Sequence, residues 1–134
     1  MSLKSQNLEQ AKFSYEKIIK FIEDNEEDLK AKISLKSYAK DIPIYIKTNG
    51  LIGAYSFINE KMNKSNSESK AYKFLFDITK EWTKKGILKN EIKECDDFIY
   101  VIVNLNSNKY KLVEKEIISL YCWLRRFAEG EIIS

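Results

Sequence analysis

Arg125 and Arg126 stand side by side near the end of the chain, in the run Trp123-Leu124-Arg125-Arg126-Phe127-Ala128. A guanidinium is always charged and offers a planar fork of N–H donors that matches phosphate in a two-pronged geometry. Two readings of the pair stand: contact with an anionic backbone, or favourable charge near a helix carboxyl end with Glu129 or Glu131 as ion-pair partner. A second constellation is Pro43-Ile44-Tyr45-Ile46-Lys47-Thr48-Asn49-Gly50-Leu51. A helix ending at Asn49-Gly50 and restarting at Leu51 places Lys47, Thr48, Asn49 and the unpaired amides of the new helix at the surface, where they attract phosphate. The plainer alternative is a helix, a left-handed cap at Gly50 and a new helix. The third is Asn59-Glu60-Lys61-Met62-Asn63-Lys64, which either compensates a helix dipole or extends a basic strip toward a nucleic-acid backbone.

Other chemistry is missing. The chain contains no histidine, so the commonest general base and the commonest zinc ligand are absent, and with them the Ser-His-Asp and Cys-His arrangements. Gly50-Leu51-Ile52-Gly53 lacks the Lys-Ser/Thr continuation of a phosphate-cradling loop. Asp96-Asp97 and Glu26-Glu27-Asp28 are pairs and runs of carboxylates, but neighbours on a helix point about 100° apart and do not converge on one ion. Both are read as solvated helix faces. The expectation is a protein that is not an enzyme, with no catalytic residue, no metal and no cofactor.

The elements that must position these residues are helices. In the last one, Tyr110 to Ala128, Val113, Ile117, Leu120, Leu124 and Phe127 form one apolar stripe, flanked by Trp123, with Arg125 and Arg126 pointing away. Glu116 lies beside that stripe, so it should be partly buried and paired with a donor. The first helix is expected from Asn7 to Asp24, burying Leu8, Ala11, Tyr15, Ile18 and Ile22. A second starts near Asp28 with Leu29, Ile33 and Ala39 inward. It kinks or restarts at Pro43, with Asp41 as cap, and stops at Asn49-Gly50. Leu51 to Met62 follows, with Leu51, Tyr55, Ile58 and Met62 on one stripe. After a loop over 63–67, the next helix buries Ala71, Leu75, Ile78 and Trp82 and ends at Lys84-Lys85-Gly86. The run Phe98-Ile99-Tyr100-Val101-Ile102-Val103 would suit a strand, but no other segment offers a partner, and a lone strand leaves its backbone unpaired. Ile92 to Leu105 is therefore read as helix.

Composition agrees. A length of 134 residues sets one domain. Four glycines and one proline are too few turn residues for an all-β chain, while 44% hydrophobic residues suffice for a core. The expected architecture is an all-α bundle of about six helices over residues 1–134, with residues 1–6 flexible or partly left over from expression. A net charge of +3 says little about partners, so any anion must read a local patch. Cys95 and Cys122 are read as buried free thiols in a reducing compartment. No signal peptide and no run long enough to span a bilayer is seen, and a cytoplasmic protein is expected.

Taken in order, Pro43-x-x-Ile46-x-x-Asn49-Gly50-Leu51, Phe57-x-x-x-Lys61, Tyr72 through Ile78-x-x-x-Trp82, Tyr110-Lys111, Glu116 and Trp123-Leu124-Arg125-Arg126-Phe127-Ala128 resemble the small subunit of type III-B CRISPR effector (Cmr) complexes. The resemblance implies a non-catalytic helical bundle that stacks in several copies as a minor filament beside the guide RNA and target RNA, while other subunits cut the target. It makes Lys47, Asn49, Lys61, Arg125 and Arg126 candidates for contact with RNA or a neighbouring subunit. Pro43, Gly50, Glu116 and Trp123 become structural. Glu114 departs from the threonine expected there, Lys111 from arginine, and Ser14 holds the small-residue position of the first helix. The competing expectation is a self-associating helical module with no nucleic-acid role, using Ile118 on the polar side of the last helix as an exposed apolar contact.

Overall fold

Apolar residues at helical spacing, punctuated by short polar caps, give six helices and, among the described residues, no strand. The computed structural model describes residues 3–93 and 95–133. The helices are α1 (Leu3–Asp24), α2 (Leu29–Met62), α3 (Ser67–Lys85), α4 (Lys89–Ile92), α5 (Phe98–Val103) and α6 (Ser107–Glu131). The all-α bundle expected from the sequence is the one observed. Of the start of the chain, residues 1 and 2 lie outside the described residues, and α1 is already helical from Leu3.

α1 is rotated from its expected orientation. Its buried residues are Gln10, Ser14, Ile18 and Phe21, while Leu8 is 71% and Tyr15 43% exposed. At about 100° per residue this is roughly a quarter turn away from the Leu8–Tyr15 face. The cause is what faces α1. Phe13 packs on Trp82 and Phe21 on Phe74, both in α3, with ring centroids 5.1 Å and 4.7 Å apart. Gln10 meanwhile finds polar partners on α6.

α2 opens at Asp28, whose carboxylate accepts from the Ala31 amide at 3.0 Å. The same carboxylate accepts from Ser67 Oγ at 2.9 Å and Lys70 Nζ at 2.8 Å, tying the starts of α2 and α3 together. The Lys70 hydrogen bond, then those of Ala31 and Ser67, hold the Asp28 carboxyl down to about 2. The tie is therefore complete at neutral pH and is lost as the pH falls through that value. Ala31, Leu35, Ala39, Ile42 and Ile46 form the buried stripe, leaving the expected core residues Leu29 and Ile33 half-exposed. Pro43 sits inside the helix and Asp41 caps nothing: the helical torsions run through both. Proline removes only the ladder bond to the Ala39 carbonyl, and the buried stripe continues across it.

The real interruption is Gly50, at φ 83° and ψ 164°. That is positive φ with extended ψ, a combination essentially confined to glycine, and not the left-handed helical cap expected there. The chain folds back on itself. Tyr45 and Phe57 would lie about 18 Å apart along a straight helix, yet their rings stack with centroids 5.4 Å apart. α2 thus has two arms, 29–49 and 51–62, and the second packs its Leu51, Ala54, Tyr55 and Ile58 into the core.

Asn66 and Ser69 exchange side-chain bonds as a capping box at the start of α3, and Gly86 closes its end. The single helix expected over Ile92–Leu105 is not continuous: α4 ends at Ile92 and α5 starts only at Phe98. Asp97 accepts from the Tyr100 amide at 3.2 Å and starts α5, while Asp96 pairs with Lys80 at 3.3 Å and Lys84 at 3.2 Å. Short carboxylates that compete for local backbone donors favour such a break, so Asp96-Asp97 is a cap and an ion-pair acceptor instead of a helix face. Phe98, Val101 and Ile102 still bury as helical neighbours.

α6 runs against α1 and α2 at the centre of the molecule. Asn106 caps it, accepting from the Lys109 amide at 2.9 Å. Val113, Ile117, Leu120, Tyr121, Leu124 and Ala128 are buried and Phe127 is half-buried. Ile118 is half-buried against the core, so it does not form the exposed patch assigned to it. Cys95 is half-buried and Cys122 is exposed, the latter because position 122 faces out beside Arg125 and Arg126; both thiols are free.

Candidate functional site

The site residues expected from the sequence are distributed along α6 and the two arms of α2. At the amino end of α6, Tyr110 and Glu114 reach the Gly50 corner. The Ile52 amide donates to Tyr110 Oη at 2.9 Å, and the Leu51 amide donates to Glu114 Oε2 at 3.1 Å. These are the first amides of the second arm, the donors expected to point outward. They are taken by the chain's own acceptors, and the Glu114 carboxylate already sits at the positive end of the arm's dipole. At the corner's surface Thr48 Oγ1 donates to the Ile44 carbonyl at 2.9 Å, and Asn49 Nδ2 donates to the Tyr45 carbonyl at 3.5 Å. Lys47 is exposed and joins no ion pair among the described residues.

Further along α6, Glu116 accepts from Trp82 Nε1 at 2.9 Å and from Gln10 Nε2 at 3.3 Å. Ser119 Oγ donates to Gln10 Oε1 at 2.8 Å, which completes a polar seam joining α1, α3 and α6. A second buried chain runs from Thr79 Oγ1 through Tyr55 Oη (2.6 Å) to Tyr121 Oη (3.1 Å). Burial pushes both tyrosine hydroxyls up, so they remain protonated donors. Sequence reading missed this second chain and the place of Gln10. Gln10 and Ser14 are polar, so the stripe they share with Ile18 and Phe21 carries no apolar periodicity that would mark it in the sequence.

At the carboxyl end both arginines are exposed. Arg125 Nε meets Glu129 Oε1 at 3.1 Å one turn on, a surface pair that leaves the rest of the guanidinium open. The Arg126 guanidinium lies 5.6 Å from the centroid of the Trp123 ring. Trp123 stacks on Phe127 (5.9 Å, 21°), and Phe127 meets Tyr15 of α1 edge-on (5.3 Å, 80°). The half-buried Trp123 thus holds Arg126 in place by a cation–π contact that consumes none of its N–H donors.

Lys61 is half-buried on the second arm, its ammonium 5.4 Å from the Phe57 ring centroid. The five candidates do not converge. Arg125 lies eleven residues beyond Glu114, about 16 Å along the helix axis, and Lys61 is about 15 Å from the corner along its own arm. Such spacing suits an extended polyanion, not one small ligand.

Two other carboxyls have shifted affinities with structural causes. Lys84 and Lys80 hold Asp96 low. Burial pushes Glu81 up, but Lys17 and Lys85 together outweigh it. Among the described residues, no three histidine, cysteine or acidic side chains are grouped to hold a metal ion. None of the described helices is long and apolar enough to cross a membrane.

Fold and surface together define a small helical bundle with two interior polar chains, Gln10–Glu116–Trp82 and Thr79–Tyr55–Tyr121, a buried Ser14 hydroxyl with no partner among the described residues, and basic side chains exposed along α2 and α6. The profile of the family described as CRISPR-associated protein (Cas_Cmr5) matches residues 6–131, nearly the whole chain, and the chain belongs to that family. Membership places it with the subunits of CRISPR-associated Cmr complexes. No curated protein matches the chain.

Proposed function

We propose that this chain is the non-catalytic small subunit of a type III-B CRISPR ribonucleoprotein, acting in antiviral defence in the cytoplasm. Its partners are the other Cmr subunits, guide RNA, target RNA and further copies of itself stacked along the RNA. The observation that carries this reading is the Arg125–Arg126 pair, exposed at the end of α6, with Arg126 oriented by Trp123. Guanidinium forks suit phosphate oxygens, and backbone contacts are independent of sequence, so recognition is left to base pairing. Lys47 and Lys61 supply further cationic points along the same polyanion. Asn49, turned back on its own helix, fits contact with a neighbouring subunit better.

A net charge of +3 gives one copy little hold on RNA. Stacked copies gain by linkage, because each later contact is made at high effective concentration. The reading without RNA loses its named contact, since Ile118 packs against the core.

Affinity capture of the tagged chain from its own host tests the proposal. The expected result is co-recovery of short guide RNAs and larger CRISPR effector subunits. Recovery alone, or with unrelated proteins and no RNA, contradicts it.

A further inference from the structure

The fold-back at Gly50 builds a concavity lined by aromatic rings. Two stacked aromatic pairs form its walls. Tyr38 lies on Tyr72 with centroids 4.0 Å apart and planes at 14°. Tyr45 lies on Phe57 at 5.4 Å and 20°. Phe57 meets Tyr72 at 84°, so the two walls stand nearly at a right angle. Buried Ile42, Ala54 and Ile58 make the floor of a cavity of about 240 Å³. Tyr45 is 37% exposed, so the cavity opens to solvent. Asp41 is also part of the lining, is exposed, and joins none of the ion pairs among the described residues.

The chemistry of that lining selects its guest. Aromatic faces carry the negative end of a quadrupole, and Asp41 adds a full negative charge of the same sign. A phosphate would be repelled, and a purely apolar guest would leave the exposed carboxylate without a counter-ion. A cation on an apolar stem satisfies both parts of the lining. The aromatic cluster already draws one such group from its own chain, the Lys61 ammonium over Phe57. The volume is below the roughly 300–1,000 Å³ of sites for drug-sized ligands and suits a single side chain. Burial, with Tyr38, Asp41 and Glu68 adding to it, pushes the Tyr72 hydroxyl up, so the ring stays neutral.

We infer that this aromatic cage receives one arginine or lysine side chain from a basic segment of a protein partner, with Asp41 as its counter-ion. The inference does not rest on RNA binding, and the two fail separately.

The test is titration of the full chain with the peptide acetyl-Gly-Arg-Gly-amide, followed by backbone amide NMR. Its citrulline counterpart, which has the same shape without the charge, is the control. The expected result is saturable shifts confined to residues 38–45, 54–58 and 72, with citrulline inert. Asp41→Asn, at an exposed position, should melt like the wild type and bind about tenfold more weakly, as the loss of one ion-pair partner in a half-open site implies. Tyr45→Ala should weaken binding in the same direction. Equal shifts with citrulline, undiminished binding by Asp41→Asn, or no shifts at millimolar peptide would overturn the inference. So would shifts at Tyr38, Asp41 and Tyr45 induced instead by a single-stranded RNA oligonucleotide, whereas shifts confined to Phe57 would report only Lys61 above it.

Discussion

The two ends of α6 lie at the two sequence blocks with the most pronounced character, the Asn49-Gly50-Leu51 corner of α2 and the arginine pair, and these finish in opposite chemical states. At the amino end, Tyr110 and Glu114 bond to the first two amides of the neighbouring arm. The Asn49-Gly50-Leu51 corner is thereby closed by its own chain. At the carboxyl end, the exposed Arg125 and Arg126 meet, among the described residues, a surface glutamate and an indole face. A helix start and a basic pair both rank as phosphate sites by residue type. What separates them is whether the protein has already supplied an acceptor. The corner is closed by its own chain, and the arginine pair stays exposed.

That contrast can be broken by substitution. The largest effect belongs to Gly50→Ala. A side chain there must hold φ 83° and ψ 164°, and its Cβ would stand 3.4 Å from Tyr110 Oη. A loss of about 3 kcal/mol is expected in denaturant unfolding. Unchanged stability would show that the corner is not fixed by its torsion.

Next is Glu116→Ala, which leaves the Trp82 indole N–H without its acceptor in a half-buried seam. About 2 kcal/mol should be lost, with a change in tryptophan fluorescence of the folded protein. If neither moves, the seam does not hold α3 to α6.

Glu114→Ala sharpens the comparison most finely, because it strips the corner of one acceptor and leaves the fold otherwise untouched. It should cost about 1 kcal/mol, the usual cost of losing a helix cap. It should also expose the Leu51 amide to faster hydrogen exchange. An amide as protected as in the wild type would mean that Glu114 does not close the corner.

Much of this was legible in the sequence. The helix start near Asp28, the loop before α3 and the end at Gly86 follow from residue types, and the Val113–Leu124 stripe of α6 is a helical repeat that leaves Arg125 and Arg126 outside. The rest depended on partners remote in sequence. The quarter turn of α1 follows from Gln10 bonding across 106 residues to Glu116, and a buried glutamine has no apolar periodicity to announce it. Pro43 reads as a break because proline usually makes one, yet the stripe through Ala39, Ile42 and Ile46 holds the helix together. The closed state of the corner is invisible locally, since Glu114 lies 63 residues beyond the amide it accepts from. Cys122 was assigned to the core because thiols usually are, although its position shares the outward side of the helix with the arginines.

The most direct measurement is RNA retention by the assembled complex carrying Arg125→Glu together with Arg126→Glu, with the melting of the isolated variant recorded beside it. Exposed pairs contribute roughly 0–1 kcal/mol, so the variant should fold and melt close to the wild type. Its complex should lose the RNA. Wild-type retention by a complex built from the folded double variant would contradict the account.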